Sequence, residues 1–270
     1  MADQSKFSCR LFPVYAADHR LFAESIEPVS RNSARDRTTL VFLHEGLGSI
    51  AQWRDFPAAV CAATGLPAFV YERLGHGRSD PLTGPRQLRY MHDEALIVLK
   101  EVLERNIEGD VVLIGHSDGG SIALIFASAY PARIRGVITE AAHVFVEKIT
   151  VEGIRRAVDA FEKSGLREAL ARYHGDNTDL MFRGWADIWL SPEFFQWNIE
   201  SYLPGITCPL LAIQGMNDEY GSPAQVEAII RGVKGRAESL LIPQCGHVPH
   251  FQARSRVLSE TTRFISSLNP

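Results

Sequence analysis

Ser117 sits in Gly115-His116-Ser117-Asp118-Gly119, a G-x-S-x-G pattern placed between the apolar runs VVLI (111–114) and SIALIFA (121–127). Those flanks read as a buried strand that turns sharply into a buried helix. So tight a turn leaves no space for side chains at Gly115 and Gly119, and it lifts the serine hydroxyl above the sheet. The free N–H groups and positive dipole at the start of the following helix then face whatever the hydroxyl attacks. The pattern alone is common, and an incidental buried turn is the bland reading; the two apolar flanks favour the chemical one.

A serine hydroxyl attacks only when a base takes its proton, and the base needs a carboxylate to orient it. The chain order Ser…Asp…His is met by Asp218 in QGMNDE (214–219) and His247 in QCGHVPH (244–250), each just beyond an apolar run. Loops at the carboxyl ends of successive parallel strands converge on one rim, so residues distant in sequence can meet there. Most of the nine histidines are expected to be surface or structural groups. His250 is the rival base, although it falls at the start of the last helix after a proline. Glu219 adjoins Asp218, and Glu140 at a strand end is the other carboxylate that could reach the base. The negative charge of a tetrahedral intermediate needs two N–H donors. The backbone of Asp118 and the Gly46 backbone of HEGLG (44–48) are the expected pair.

The elements that must position these groups follow an α/β order with a mostly parallel sheet. Lys6–Val14 and His19–Ile26 read as opening strands, and 30–38 as a polar loop. Strands are expected at 39–43, 68–71, 111–114, 136–139, 209–213 and 239–242. Helical spacing runs from Leu88 to Glu104 through Met91, Ala95, Leu99 and Val102. A closing helix carries Val257, Phe264, Ile265 and Leu268. Between Phe145 and Leu203 the alternation stops, and helical periodicity continues without a strand. The expected organisation is a core of 1–144 and 205–270, with residues 145–204 forming a helical cap over the strand ends, where such sheets bind ligands.

The chain has 270 residues, 46% hydrophobic and 22% charged, with a net charge of −4. That balance gives no reason to expect nucleic acid or a membrane surface as partner. The amino terminus lacks the basic run and long apolar stretch of a signal peptide, and no window is apolar enough to span a bilayer. Cys9, Cys61, Cys208 and Cys245 lack CxxC spacing, so they read as reduced thiols in a cytoplasmic protein, with neither a zinc site nor a disulfide framework. The expected partner is a small-molecule substrate, and the chain a monomer or homodimer.

The ordered motifs HEGLGS, ERLGHGRSD, GHSDGG, GMNDEY and CGHVPH resemble the α/β-hydrolase superfamily, nearest its small capped group of meta-cleavage-product hydrolases, biphenyl-hydrolase-like esterases and proline iminopeptidases. The resemblance implies an α/β-hydrolase fold: a mostly parallel eight-stranded sheet flanked by helices, with the cap inserted after the sixth strand. It implies Ser117 as nucleophile, Asp218 as acid and His247 as base, with no metal or organic cofactor. Fold membership does not choose among the chemistries.

Two positions depart from the usual pattern. Glu45 stands where glycine is customary, and Asp118 where a bulky neutral residue is customary. The bland reading turns Glu45 outward or onto a helix end and bonds Asp118 to its own loop. The sharper reading aims one carboxylate at the acyl pocket to attract a cationic group, with Arg78 or His76 neutralising any carboxylate beside the oxyanion. Trp185 and Trp189, four apart, share a helical face that serves packing or a substrate wall. Phe194, Phe195 and Trp197 suggest an apolar entrance, and His143 and Tyr220 are further candidates to line the cavity. The leading expectation is a serine hydrolase that cleaves a small, apolar or aromatic carboxylic ester through an acyl-enzyme. The alternatives are a C–C bond hydrolase of a meta-cleavage product, an amidase or aminoacyl-ester hydrolase, and a non-catalytic ligand sensor.

Overall fold

Eight short apolar runs assemble into one sheet in the computed structural model of the chain, which describes residues 7–29 and 37–268. They are β1 (Phe7–Ala16), β2 (His19–Pro28), β3 (Thr39–Leu43), β4 (Ala68–Glu72), β5 (Val111–His116), β6 (Ile134–Glu140), β7 (Leu210–Gly215) and β8 (Ala237–Ile242). Their order is β1-β2-β4-β3-β5-β6-β7-β8. The β1–β2 and β2–β4 pairs are antiparallel and every later pair is parallel. The opening hairpin turns on Ala17 and Asp18, both at positive φ, which matches the twist a two-residue hairpin needs. Most of the expected 30–38 loop, residues 30–36, lies outside the described residues, as does Lys6.

Strand alternation divides the core in two. Val41, Leu43, Leu113, Val137 and Ala212 face one layer, while Leu40, Phe42, Ile114, Ile138, Leu211 and Ile213 face the other. A sheet buried on both faces needs helices on both. The helices are α1 (Phe56–Thr64), α2 (Tyr90–Asp93), α3 (Lys100–Asn106), α4 (Asp118–Ala129), α5 (Lys148–Lys163), α6 (Leu166–His174), α7 (Thr178–Trp189), α8 (Ala224–Gly232), α9 (Pro249–Gln252) and α10 (Arg254–Ser266). Phe56 of α1 and Phe264 of α10 pack on the second face, whereas Ile122 and Ile125 of α4 pack on the first.

Two expectations about helices change. The 88–104 pattern is a rod from Tyr90 to Asn106 interrupted by a π-helical turn at Glu94–Leu99, where Glu94 is buried beside Arg86. Met91, Ala95 and Leu99 are four apart, a spacing that fits an α turn or a wider π turn, so periodicity does not reveal it. His250 belongs to the one-turn α9, not to the last helix, because the backbone breaks at Ala253 before α10 begins.

Helices α5, α6 and α7 lie between β6 and β7, and a bridge from Phe145 to Asn198 ties the two ends of this insertion together. Its interior is aromatic: Phe161 stacks on Phe182 with ring centroids 3.8 Å apart, and Phe194 stacks on Trp197 at 5.4 Å. No disulfide joins the four cysteines, and no described helix is long and apolar enough to cross a membrane. The loops that leave the carboxyl ends of β3, β4, β5, β6, β7 and β8 all open on the rim beneath the insertion.

Candidate active site

The turn after β5 is drawn tight enough to force Ser117 to φ +52° and ψ −119°, a conformation rarely taken by a residue with a side chain. Its N–H donates to the Glu140 carbonyl at 2.8 Å, which holds the turn against β6. A methyl group at Gly115 would strike the Gly119 carbonyl, and one at Gly119 would strike the carbonyls of Leu43 and His44. Both glycines are therefore required by close backbone approach, as the sequence suggested.

Three side chains from three loops meet at this turn. His247 Nε2 lies 3.0 Å from Ser117 Oγ, and His247 Nδ1 lies 2.8 and 2.9 Å from the two Asp218 oxygens. The carboxylate can only accept, so Nδ1 carries the hydrogen and Nε2 offers a lone pair to the serine hydroxyl. Asp218 is itself oriented: Gln214 Nε2 donates to one oxygen at 2.6 Å, and the Tyr220 N–H donates to the other at 2.8 Å. Burial acts to lower the His247 pKa, but the Asp218 charge, with smaller help from Glu45 and Glu219, outweighs it and lifts the pKa above its ordinary value. Burial acts to raise the Asp218 pKa; the adjacent imidazole and the donated hydrogen bonds reverse this and hold it low.

The rivals are engaged with each other. Glu140 Oε2 accepts from His250 Nδ1 at 2.9 Å and from its backbone N–H at 3.0 Å, in a fully buried pair packed under Trp53. Neither side chain reaches the Ser117 hydroxyl, whose described partner is His247. His116 separates the two pairs and donates from Nε2 to the His247 carbonyl at 2.7 Å. Burial and the neighbouring histidines push its pKa down to about 3, so it stays neutral.

A cavity of about 50 Å³ opens at Ser117 and is lined by Glu45, Gly46, Leu47, Asp118, His143, Thr150, Ile154, Trp185, Trp189, Tyr220 and His247. Glu45, His143, Trp185, Trp189 and Tyr220, singled out from sequence, all reach it. Trp185 packs directly over Gly46, where a β-carbon would collide with the indole. The expected apolar entrance is corrected: Phe194 and Trp197 are buried behind Trp189 and Phe195 points outward, so none of the three lines the cavity.

Glu45 and Asp118 have different fates. Asp118 does not bond its own loop. Its Oδ2 accepts from Tyr90 Oη at 2.7 Å and faces Arg73 Nη1 at 3.5 Å. The neutralising cation is thus Arg73 and not Arg78 or His76. Arg78 lies over the Phe22 ring, and His76 Nε2 lies 3.0 Å from the Gly46 carbonyl. Glu45 turns inward: its carboxylate and ring nitrogens of His116 and His247 lie within 4.8 Å of one another. No described group donates to that carboxylate, and it also lines a second cavity of about 160 Å³ beside His116 and His250. Burial raises its pKa, with the nearby histidines opposing.

Sequence reasoning missed Arg73, Tyr90, Gln214 and His116. Arg73 and His116 sit inside quoted motifs but carry no spacing signal of their own. Tyr90 lies in a helical stretch and looks like core.

With this geometry in view, residues 40–260 match the alpha/beta hydrolase family, and the chain belongs to it. A proline iminopeptidase of Saccharolobus solfataricus is 33% identical over 122 residues, 44% of this chain and 38% of that protein. A (lyso)-N-acylphosphatidylethanolamine lipase of Mus musculus is 28% identical over 135 residues, 50% of this chain and 37% of that one. The matches thus span well under half the length of these relatives. Among solved structures, the enol-lactonase from Burkholderia xenovorans LB400 superposes with a TM-score of 0.70 at 18% identity, covering 94% of this chain and 100% of the other, which speaks to the fold.

Gly119→Ala should destabilise the protein by at least about 1–3 kcal/mol, the usual cost of overpacking, because the obstruction is backbone and cannot rotate away. Chemical denaturation measures this; an unchanged midpoint would mean that the close approach to Leu43 and His44 is not tight.

Proposed function

We propose that the protein is a serine hydrolase that cleaves a small carboxylic ester through an acyl-enzyme on Ser117. The observation that carries this reading is the 3.0 Å contact between Ser117 Oγ and His247 Nε2, backed by Asp218 on the other ring nitrogen. His247 takes the hydroxyl proton as Oγ attacks the carbonyl carbon, then returns it to the leaving alkoxide as the C–O bond breaks. Water repeats the sequence on the acyl group, with His247 again as base. The N–H groups of Gly46 and Asp118 receive the oxyanion: Asp118 begins α4 and has no carbonyl one turn back, and Gly46 N–H joins none of its loop's backbone hydrogen bonds. The size of the cavity supports a short acyl group, and its indole walls support an apolar or aromatic one.

A second reading, in which the substrate carries an amine, is favoured by the Glu45 carboxylate. It faces the cavity with no hydrogen-bond donor among the described residues, which suits a cationic group supplied by the ligand.

Incubation with a fluorophosphonate should add one covalent adduct, mapped to Ser117 by mass spectrometry, and Ser117→Ala should abolish both adduct and turnover while remaining folded. An unlabelled wild-type serine would leave the ligand-sensor reading. The pH profile supplies a second check. The neutral imidazole is the active form, and its pKa is raised, so the acid limb of kcat/KM should lie above the ordinary histidine value of about 6.5. Asp218→Asn should move that limb to lower pH while cutting kcat by about 10⁴-fold; a limb that stays put would dissociate Asp218 from the titrating group. If Glu45 reads a cation, an amine-bearing ester should outpace its neutral isostere, and Glu45→Gln should erase the preference. Equal rates for the two esters would remove this second reading.

A further inference from the structure

We propose that Arg73 is the positioning residue for both halves of the oxyanion hole, an inference that rests on the hydrolase reading above. Arg73 follows β4 directly and is 1% exposed, among the largest fully buried side chains described. Its guanidinium branches in two directions. Nη2 donates to the Glu45 carbonyl at 2.7 Å, and Nη1 faces Asp118 Oδ2 at 3.5 Å. One rigid fork therefore grips the loop after β3 and the turn after β5, the two segments whose N–H groups would hold the oxyanion.

The Glu45 contact is the informative one. In a trans peptide the C=O and the following N–H point in opposite directions. Fixing the Glu45 carbonyl therefore fixes where Gly46 N–H points. Three donors converge on that one oxygen: Arg73 Nη2 at 2.7 Å, His44 Nδ1 at 2.7 Å and Gly48 N–H at 3.1 Å. The His44 tautomer is set from the same residue, because the Arg73 backbone N–H donates to His44 Nε2 at 3.0 Å and leaves the hydrogen on Nδ1. Burial and the Arg73 charge keep His44 neutral, as this arrangement needs. A carbonyl that accepts several hydrogen bonds also polarises its own peptide, which strengthens the Gly46 donor.

On the other side the network continues into the helical insertion. Tyr90 Oη donates to Asp118 Oδ2 at 2.7 Å, and Trp189 Nε1 donates to Tyr90 Oη at 2.9 Å. Trp189 also lines the cavity. The seating of α7 is thus linked through two hydrogen bonds to the residue that follows the nucleophile, and Arg73 joins that chain to the opposite donor.

The test uses Arg73→Met combined with Asp118→Asn, so that no uncompensated charge is left buried, beside Asp118→Asn alone and the wild type. Folding of each is verified by thermal denaturation. Loss of an oxyanion donor costs about 10²–10³ in kcat. The double variant should fall by that factor in kcat and in the rate of fluorophosphonate labelling, with KM changed less than about twofold. Asp118→Asn alone, which keeps the Arg73–Glu45 link but takes away the carboxylate facing Arg73, should remain faster than the double variant in both kcat and labelling once its folding is verified. A purely structural role would shift the melting temperature without this parallel fall in kcat and labelling. A folded double variant that turns over and labels at the wild-type rate overturns the proposal, as does an Asp118→Asn variant as slow as the double. A wild type that does not label overturns the hydrolase reading itself, and this inference with it.

Discussion

A serine with a side chain held at positive φ is the constraint on which the rest of the structure depends. A strained position of this kind costs about 1–3 kcal/mol and persists only where its surroundings over-determine it. Here the surroundings are specific: β6 receives the Ser117 N–H, and the backbones at Gly115 and Gly119 close to distances that no β-carbon would allow. The bend delivers two things at once, a hydroxyl presented to the cavity and the unpaired N–H of Asp118 at the head of α4. Strand order does the remainder, since β3, β5, β7 and β8 all end on the same rim.

The rim holds an unusual density of histidine. His247 with Asp218 and His250 with Glu140 form two imidazole–carboxylate pairs, and the neutral His116 ring lies between them, with centroids 5.1 and 5.0 Å from the two rings. Only the first pair reaches the Ser117 hydroxyl. The second is sealed under Trp53 and Phe56 and ties the α9 turn to the end of β6. Because α9 follows His247 by a single residue, that anchoring limits how far the imidazole can drift from the hydroxyl. A buried polar pair so placed acts as a brace for the imidazole of His247, the kind of supporting shell that the proposed chemistry would need.

Much of this was legible from sequence because it is periodic or punctuated. Alternating apolar residues marked the strands, GHSDGG marked the turn, and Asp218 and His247 stood just past strand ends. Glu45, His143 and Tyr220 were legible as lining residues because their loops follow strand ends, and Trp185 and Trp189 because their spacing puts them on one face of α7, whereas Thr150 and Ile154 look like ordinary helix residues. What stayed hidden depends on side-chain reach across the sheet. Nothing in ERLGHGRSD distinguishes Arg73, whose guanidinium is buried, from Arg78, which lies over Phe22. Tyr90 has the spacing of a core residue, and only its hydroxyl contact with Asp118 sets it apart. The π-helical turn at Glu94–Leu99 left no trace because apolar residues four apart fit either an α or a π turn. Phe194 and Trp197 were misjudged because aromatic content signals burial without saying against what.

The most direct measurement is a crystal structure of the wild-type protein after reaction with a small phosphonate ester. The phosphorus should be bonded to Ser117 Oγ, with its free oxygen about 2.7–3.1 Å from the N–H groups of both Gly46 and Asp118, and with His247 still bonded to Asp218. An adduct whose oxygen points away from those two donors, or a phosphorus on any other residue, would contradict the account.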